Sequence, residues 1–366
     1  MSAPILNSGL GPDSVLITGG AGFIGCNLSH RLASDGRRVI VFDNLSRAGV
    51  EQNLAWLRAT HGDRIEVVTG DIRDEQAVRE VVGRARVVFH LAAQVAVTTS
   101  LTEPLHDFTV NTAGTLNLLE AIRARRNPPS LVFTSSNKVY GKLPGVSFYT
   151  DGERYVPRDA LLAGRGVSER QALDFASPYG CSKGAADQYV LDYARTYGLP
   201  CTVFRMSCIY GPHQFGTEDQ GWVAHFVRRV LAGKPITLYG DGRQVRDVLF
   251  VDDLVDALCL AEQRIGALKG EAFNIGGGPC NAVSLHGVLE RLSSLTGCKA
   301  ECSYDEWRPA DQPWYVSDTG RFFERTGWRP RVSADEGLAR LCGWLSNAVR
   351  PSKPNRQRVA SRGRTA

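Results

Sequence analysis

One fifteen-residue stretch narrows the possible folds most: "SVLITGGAGFIGCNL", residues 14–28. An apolar run of strand type enters a glycine cluster, and a helical pattern leaves it. The glycines read as Gly20-x-Gly22-x-x-Gly25, or from Gly19 as G-x-x-G-x-x-G. Glycines at these spacings let the chain turn sharply and bring its backbone against a pyrophosphate at the helix N-terminus. The motif alone is weak, but the acid that should accompany it is present. Asp43 ends the next strand-like run, "RVIVFDNLSR", eighteen positions past Gly25. A carboxylate there accepts from the adenosine ribose 2′-OH and repels a 2′-phosphate, which favours NAD over NADP. Arg47, four residues on, is the rival that would suit a 2′-phosphate.

The stretch is the first of a series. Short apolar runs at 14–18, 38–42, 65–68, 86–90, 130–134 and 201–206 alternate with amphipathic segments such as 23–35, 74–83, 111–125 and 182–197. Strands buried on both faces read this way, and the alternation predicts right-handed crossovers and a parallel sheet. The expected fold class is therefore α/β, a doubly wound Rossmann sheet. After Gly211 the pattern loosens into helices near 220–232, 252–264, 284–296 and 334–348, with a strand-like piece at 272–275 that can rejoin the sheet. The segment 142–177 is long and irregular, the mark of a lid or binding loop.

Composition closes other routes. The chain has 366 residues, 43% apolar and 22% charged, with no apolar run long enough to span a membrane. Met1 to Asp13 lacks the pattern of a secretory signal. Nine scattered cysteines without C-x-x-C suggest reduced thiols, a cytoplasmic location and no metal site. The net charge of +5 comes from the end of the chain: Arg350, Lys353, Arg356, Arg358, Arg362 and Arg364 stand there without an acid, leaving the body at −1. A solubilising disordered tail is expected over 349–366, not a nucleic-acid site.

The chemistry concentrates at two places. "SPYGCSKGAADQY" puts Tyr179 and Lys183 at i and i+4, on one helix face. A phenol near pKa 10 is a poor base. A nearby ammonium, together with an oxidised nicotinamide, should lower it and make Tyr179 an acid–base group for a hydroxyl. "TSSNKVYG", 134–141, brings Ser136 to the end of a strand, where it can bond the same substrate oxygen. Asp71-Ile72 and "HLAAQ" (Leu91, Ala92, Ala93, Gln94) end two further strands where a dinucleotide would pass. His90 is expected to be a packed, hydrogen-bonded histidine.

With these residues in view the chain resembles the extended short-chain dehydrogenase/reductase family of NAD-dependent sugar epimerases and dehydratases. The resemblance runs over roughly 14–345 through "GGAGFIG", "FDNLSR", "GDIRD", "SSNKVYG", "SPYGCSK", "YGDGRQVRDVLFVDDL" and "FNIGGG". It implies NAD held by Gly19, Gly22, Phe23, Ile24, Gly25, Asp43, Asn44, Asp71, Ile72, Leu91, Ala92 and Ala93 with Tyr179 and Lys183, and catalysis by Ser136, Tyr179 and Lys183. It also implies a smaller C-terminal α/β domain for a nucleotide sugar. The NAD-binding part would cover 14–212 and about 247–275, the sugar-nucleotide part 213–246 and 276–348. Substrate contacts would come from Gln94, Thr98, Ser136 and Asn137. Arg246 and Arg308 would hold a diphosphate, which a planar guanidinium pairs with bidentately.

In the family's 4,6-dehydratases an Asp-Glu pair follows the catalytic hydroxyl and eliminates water; here Asn137-Lys138 stands there, so epimerisation is expected. "FDNLSRAG", "QVAVTTS", "SSNKVYG" and "DQGWV" resemble the CDP-paratose 2-epimerase branch, although that branch leads one to expect Thr at Ser136. A UDP-sugar 4-epimerase is the alternative, and a dehydratase or a non-catalytic NAD sensor fits less well. The resemblance also implies a homodimer or homotetramer, a part in polysaccharide biosynthesis, and no membrane partner.

Overall fold

Seven short strands lie parallel in the computed structural model, which describes residues 14–349. They are β1 (Ser14–Thr18), β2 (Val39–Asp43), β3 (Ile65–Thr69), β4 (Ala85–His90), β5 (Ser130–Ser136), β6 (Cys201–Met206) and β7 (Ala272–Ile275). Their order in space is β7-β6-β5-β4-β1-β2-β3. Alternation along each strand feeds two apolar layers. Val15 and Ile17 face the helices Phe23–Ser34, Val50–His61 and Val251–Gln263, whereas Leu16 between them faces the other side, with Leu118, Leu131 and Val190. The order reverses between β1 and β4. Chain leaving those strands diverges there and opens a crevice beyond their carboxyl ends.

The strand at 272–275 does join the sheet, pairing Ala272–Ile275 with Val203–Met206. Between β6 and β7, and again after β7, the chain builds a smaller α/β layer. Its centre is the strand Val245–Phe250, parallel to Cys208–Tyr210 and Trp314–Tyr315 and antiparallel to Ala282–Ser284. The helices Trp222–Leu231, Leu285–Thr296 and Ala334–Val349 cover it over a core that includes Tyr210, Val227, Phe250, Leu292 and Leu341.

Two expectations need correction. The segment 142–177 is not without structure: it holds the hairpin Phe148–Asp151/Arg154–Pro157 and the short helix Ala160–Arg165. It is tied back to the body where Glu169 accepts from Asn274 N (2.7 Å) and Asp174 N donates to Val139 O (3.0 Å). The helix expected from 182 starts earlier, at Pro178, because Ser177 caps it by accepting from Gly180 N (3.1 Å) and proline suits the first turn. That shift seats Tyr179 in the first turn. The N-terminal stretch before Ser14 and the basic tail from Arg350 lie outside the described residues.

Candidate active site

The glycine loop shows how a dinucleotide fits. Gly19 has φ +69°, and a Cβ there would meet Ala92 N at 2.8 Å, so only glycine turns the chain between β1 and β4. Gly25 lies against Gly19 itself: its Cβ would sit 2.2 Å from Gly19 O. Gly22 is different. A Cβ on it would touch only Gly19 O, at 3.1 Å, and otherwise point into open space. Gly22 is also the N-cap of Phe23–Ser34 and offers no side chain to satisfy the free N–H groups. The G-x-x-G-x-x-G reading from Gly19 is thus the one that assigns each glycine a physical task. The structure leaves a bare, donor-rich cradle for an anion.

From this cradle a cavity of about 670 Å³ runs along the carboxyl ends of the strands. Its wall includes Gly19, Gly22, Phe23, Ile24, Gly25, Asp43, Asn44, Asp71, Ile72, Leu91, Ala92, Ala93, Tyr179 and Lys183. Asp43 is fixed by two backbone donors, Ala21 N to Oδ2 (3.0 Å) and Leu45 N to Oδ1 (2.9 Å). Burial raises its pKa and these bonds oppose the rise. Arg47 also lines the cavity, but its Nη2 donates to Gln220 Oε1 (2.7 Å). Asp71 is bound to Arg73 through both oxygens (2.9 and 2.8 Å) and to Asn44 Nδ2 (3.1 Å), and the Arg73 bonds hold it well below the usual carboxylate range. His90 is buried between Thr18 Oγ1 (2.7 Å) and Thr115 Oγ1 (3.0 Å), and burial lowers it to about 3.

At the far end of the cavity Tyr179 meets the end of β5. Ser136 stands near enough to its hydroxyl to bear on its pKa; the Ser136 Oγ donates to Asn137 Oδ1 (3.3 Å) and accepts from Lys138 N (3.2 Å). Lys183 Nζ donates to Thr134 O (2.7 Å) and lies 4.4 Å above the Phe133 ring, joining the helix to the strand. Burial raises Tyr179 to about 12, with Ser136 acting against it and the Asp107 charge adding to it. Burial lowers Lys183 to about 8, opposed by Asp187 and Asp107. In the protein alone the ammonium is committed to a carbonyl, and desolvation dominates at Tyr179. A positive nicotinamide is the remaining contribution that would favour the phenolate.

Sequence reasoning passes over two residues here. Asp107 is fully buried and next to a π-turn, Thr109–Ala113. Asn111 of that turn accepts from Gln94 N (2.9 Å) and donates to Gln94 O (3.1 Å), Asp107 Oδ1 (3.2 Å) and Ser182 Oγ (3.1 Å). Asn111 thus locks the β4 loop to the Tyr179 helix. Only the polar pair Asp107 and Asn111 on one helix face hints at it.

The residues expected to meet substrate are placed unevenly. Gln94 lines the cavity, but its amide turns back onto Ala96. Thr98 has a buried hydroxyl without a partner, while its neighbour Thr99 is on the wall. Arg246 is buried and bonded to Asp311 Oδ1 (2.6 Å). Arg308 lies 3.5 Å from Asp219 and 4.0 Å above the Tyr239 ring. Among the described residues no group of three or more His, Cys, Asp or Glu can hold a metal ion, and no helix is long and apolar enough to cross a membrane. All nine cysteines are unpaired.

A glycine cradle, a fixed carboxylate at the end of β2 and a Ser–Tyr–Lys set at the end of one cleft define a nicotinamide-dependent enzyme of the short-chain dehydrogenase/reductase type. Comparison with known proteins agrees. Residues 15–276 match the model of the NAD dependent epimerase/dehydratase family, and the chain belongs to that family. It is 42% identical over 340 residues to a CDP-paratose 2-epimerase of Salmonella typhi, covering 91% of this chain and 99% of that protein. Two solved UDP-glucose 4-epimerases share the fold. The Thermotoga maritima enzyme with UDP-glucose gives a TM-score of 0.77 at 31% identity, and the Thermus thermophilus enzyme in complex with NAD gives 0.77 at 33%. Both comparisons cover 92% of this chain and 100% of the other. The protein is an enzyme of this family, and NAD is its cofactor.

Proposed function

We propose that the chain is a nucleotide-sugar epimerase whose substrate is CDP-paratose, inverted at C2. The observation that carries this is Tyr179 on the cavity wall with Ser136 beside it, followed by Asn137-Lys138 and no acid pair. The likeness to the Salmonella protein, over nearly the whole of both chains, supports the sugar and the carbon. NAD, held along the cavity by the glycine loop and Asp43, would supply the hydride chemistry: an acceptor for the hydrogen of the sugar carbon and a donor of it to the other face. The protein's task is to move the hydroxyl proton. As the phenolate, Tyr179 receives it and becomes a phenol, and it gives the proton back when the carbonyl is reduced, which restores the phenolate. Lys183, charged and fixed on Thr134 O, stabilises the phenolate that forms and keeps the helix in register with β5. Asp43 holds the adenosine ribose and sets the preference for NAD. The part built around Val245–Phe250 holds the nucleotide, with Arg246 and Arg308 on its diphosphate.

Exposed Leu105 and Phe108, close to Asp107, support assembly as a homodimer or homotetramer. A UDP-sugar 4-epimerase is the second reading, favoured by the solved neighbours. NMR of products after incubation with CDP-paratose and with UDP-glucose separates the two. The expected result is an isomer inverted at C2 from the first and no product from the second. C4 inversion of UDP-glucose with the CDP-sugar untouched would overturn the proposal.

A further inference from the structure

Lys138 sits where no general feature of the fold demands a cation. Its backbone N–H donates to Ser136 Oγ (3.2 Å), so the residue is pinned to the hydroxyl that meets Tyr179. Its Nζ lies 3.3 Å from Asp311 Oδ1 and 3.3 Å from Ala310 O. The same Asp311 oxygen accepts from Arg246 Nη2 at 2.6 Å. Two cations, with side chains only 19% and 8% exposed, thus converge on one carboxylate oxygen. The turn that delivers Asp311 is fixed: Ala310 adopts φ +59°, uncommon for a residue with a Cβ. The trio has one positive charge in excess. Burial alone would raise the Asp311 pKa, but Arg246 and Lys138 bring it down to about 2. An ammonium and a guanidinium already meet on one oxyanion here, the Asp311 carboxylate, and the surplus positive charge is what a phosphate oxygen would complement.

Substrate chemistry says what the seat decides. In a nucleoside-diphosphate sugar the second phosphate is attached through C1. C2 is bonded to C1, whereas C4 lies across the ring. Bringing C2 to Tyr179 puts that phosphate beside the catalytic hydroxyl; bringing C4 there moves it away by the width of a sugar ring. A cation two residues past Ser136 serves the first pose only.

We propose that Lys138 and Arg246 together seat the sugar-linked phosphate, and that Lys138 is the specificity-determining residue that brings C2 rather than C4 to Tyr179. The inference deepens the nucleotide-sugar reading above and rests on it. Its test uses ligands that need no turnover. Calorimetric titration of the NAD-loaded protein with CDP and with CMP compares wild type with Lys138→Met and Lys138→Arg. CDP carries the second phosphate and CMP lacks it. Lys138→Met should weaken CDP about 10- to 100-fold, the size of one charge-assisted hydrogen bond, and leave CMP within about twofold. Lys138→Arg should restore most of the CDP affinity. Lys138→Gln, which keeps a hydrogen bond to Asp311 without the charge, stands in if the Met variant does not fold. Unchanged CDP binding, or equal losses for CDP and CMP, overturns the proposal. UDP and UMP read the same difference if the protein prefers uridine, so an error about the base leaves the test intact. In turnover, Lys138→Met should lose at least about 10-fold in kcat/KM for CDP-paratose with NAD affinity unchanged.

Discussion

Tyr179 is a phenol that its own protein holds protonated. Burial raises it to about 12, and the nearest cation, on Lys183, is tied to Thr134 O. The cost of forming a phenolate would therefore be offset only in the loaded site, where the positive charge of an oxidised nicotinamide is added. Removing the hydroxyl should leave the cavity wall intact. Tyr179→Phe is expected to bind NAD as the parent does and to lose about 10²–10⁴-fold in kcat, the range for a positioned acid–base group; near-normal turnover would exclude the role. Asp311 gives a second prediction, on stability. Its folded pKa, about 2, is below the ordinary value of 3.8, so the unfolded chain binds the proton more readily. The stabilisation is fully present above about pH 4 and is lost as pH falls toward 2, with a size of roughly 2 kcal/mol. Urea unfolding of Asp311→Asn and of wild type should show that gap at about pH 6 and its closure between about pH 4 and 2. A gap that does not change with pH would mean the carboxylate is not held by charge.

At the scale of elements, the turn from β1 into its helix separates folding from binding. Gly22→Ala adds a methyl group whose one close neighbour is Gly19 O, at 3.1 Å, in space that a pyrophosphate would fill. Gly25→Ala drives a methyl group to 2.2 Å from the same oxygen. The first variant should melt within a few degrees of wild type and bind NAD at least about 10-fold more weakly; the second should lose stability by about 1–3 kcal/mol or more, as overpacking does. Equal melting temperatures for the two would remove the distinction. This turn is legible in the sequence because everything that builds it is local: a strand, three spaced glycines and a helix. The same holds for the sheet, whose seven strands all stand out as short apolar runs, and for Tyr179 and Lys183, one helical turn apart. What is not legible is long-range. Asp311 reaches Lys138 across 173 positions, and nothing in "WRPADQ" points to that lysine. Nor does the sequence show that the Gln94 amide bonds Ala96 on its own loop, or that Asn111, from another element, holds the Gln94 backbone. A sequence reading misses the hairpin in 142–177 because the strands there are short and largely exposed, so no apolar alternation marks them.

Across the whole molecule, the cleft of the parallel sheet and the smaller layer around Val245–Phe250 meet at Ser136, Asn137 and Lys138. The sheet side supplies hydroxyls and the cofactor cradle, and the other side supplies Arg246 and Asp311. At their junction Asn137, with no titratable proton, offers its amide oxygen to Ser136 Oγ (3.3 Å), and Lys138 is engaged with Asp311. Neither residue can protonate a leaving hydroxyl as a carboxylic acid does, so the site can move a hydride and a hydroxyl proton but lacks the acid for elimination. Two measurements follow from one incubation in deuterated water. The product should have the mass of the substrate, since no water leaves. The inverted carbon should carry no deuterium, because its hydrogen returns as a hydride that never exchanges with solvent, while the proton Tyr179 handles is lost from oxygen on work-up. A deprotonation–reprotonation route would place solvent deuterium on that carbon, and its appearance would overturn the hydride assignment. A product lighter by one water would instead overturn the reading of Asn137 and Lys138, and leave the roles of Gly22, Asp43 and Tyr179 standing.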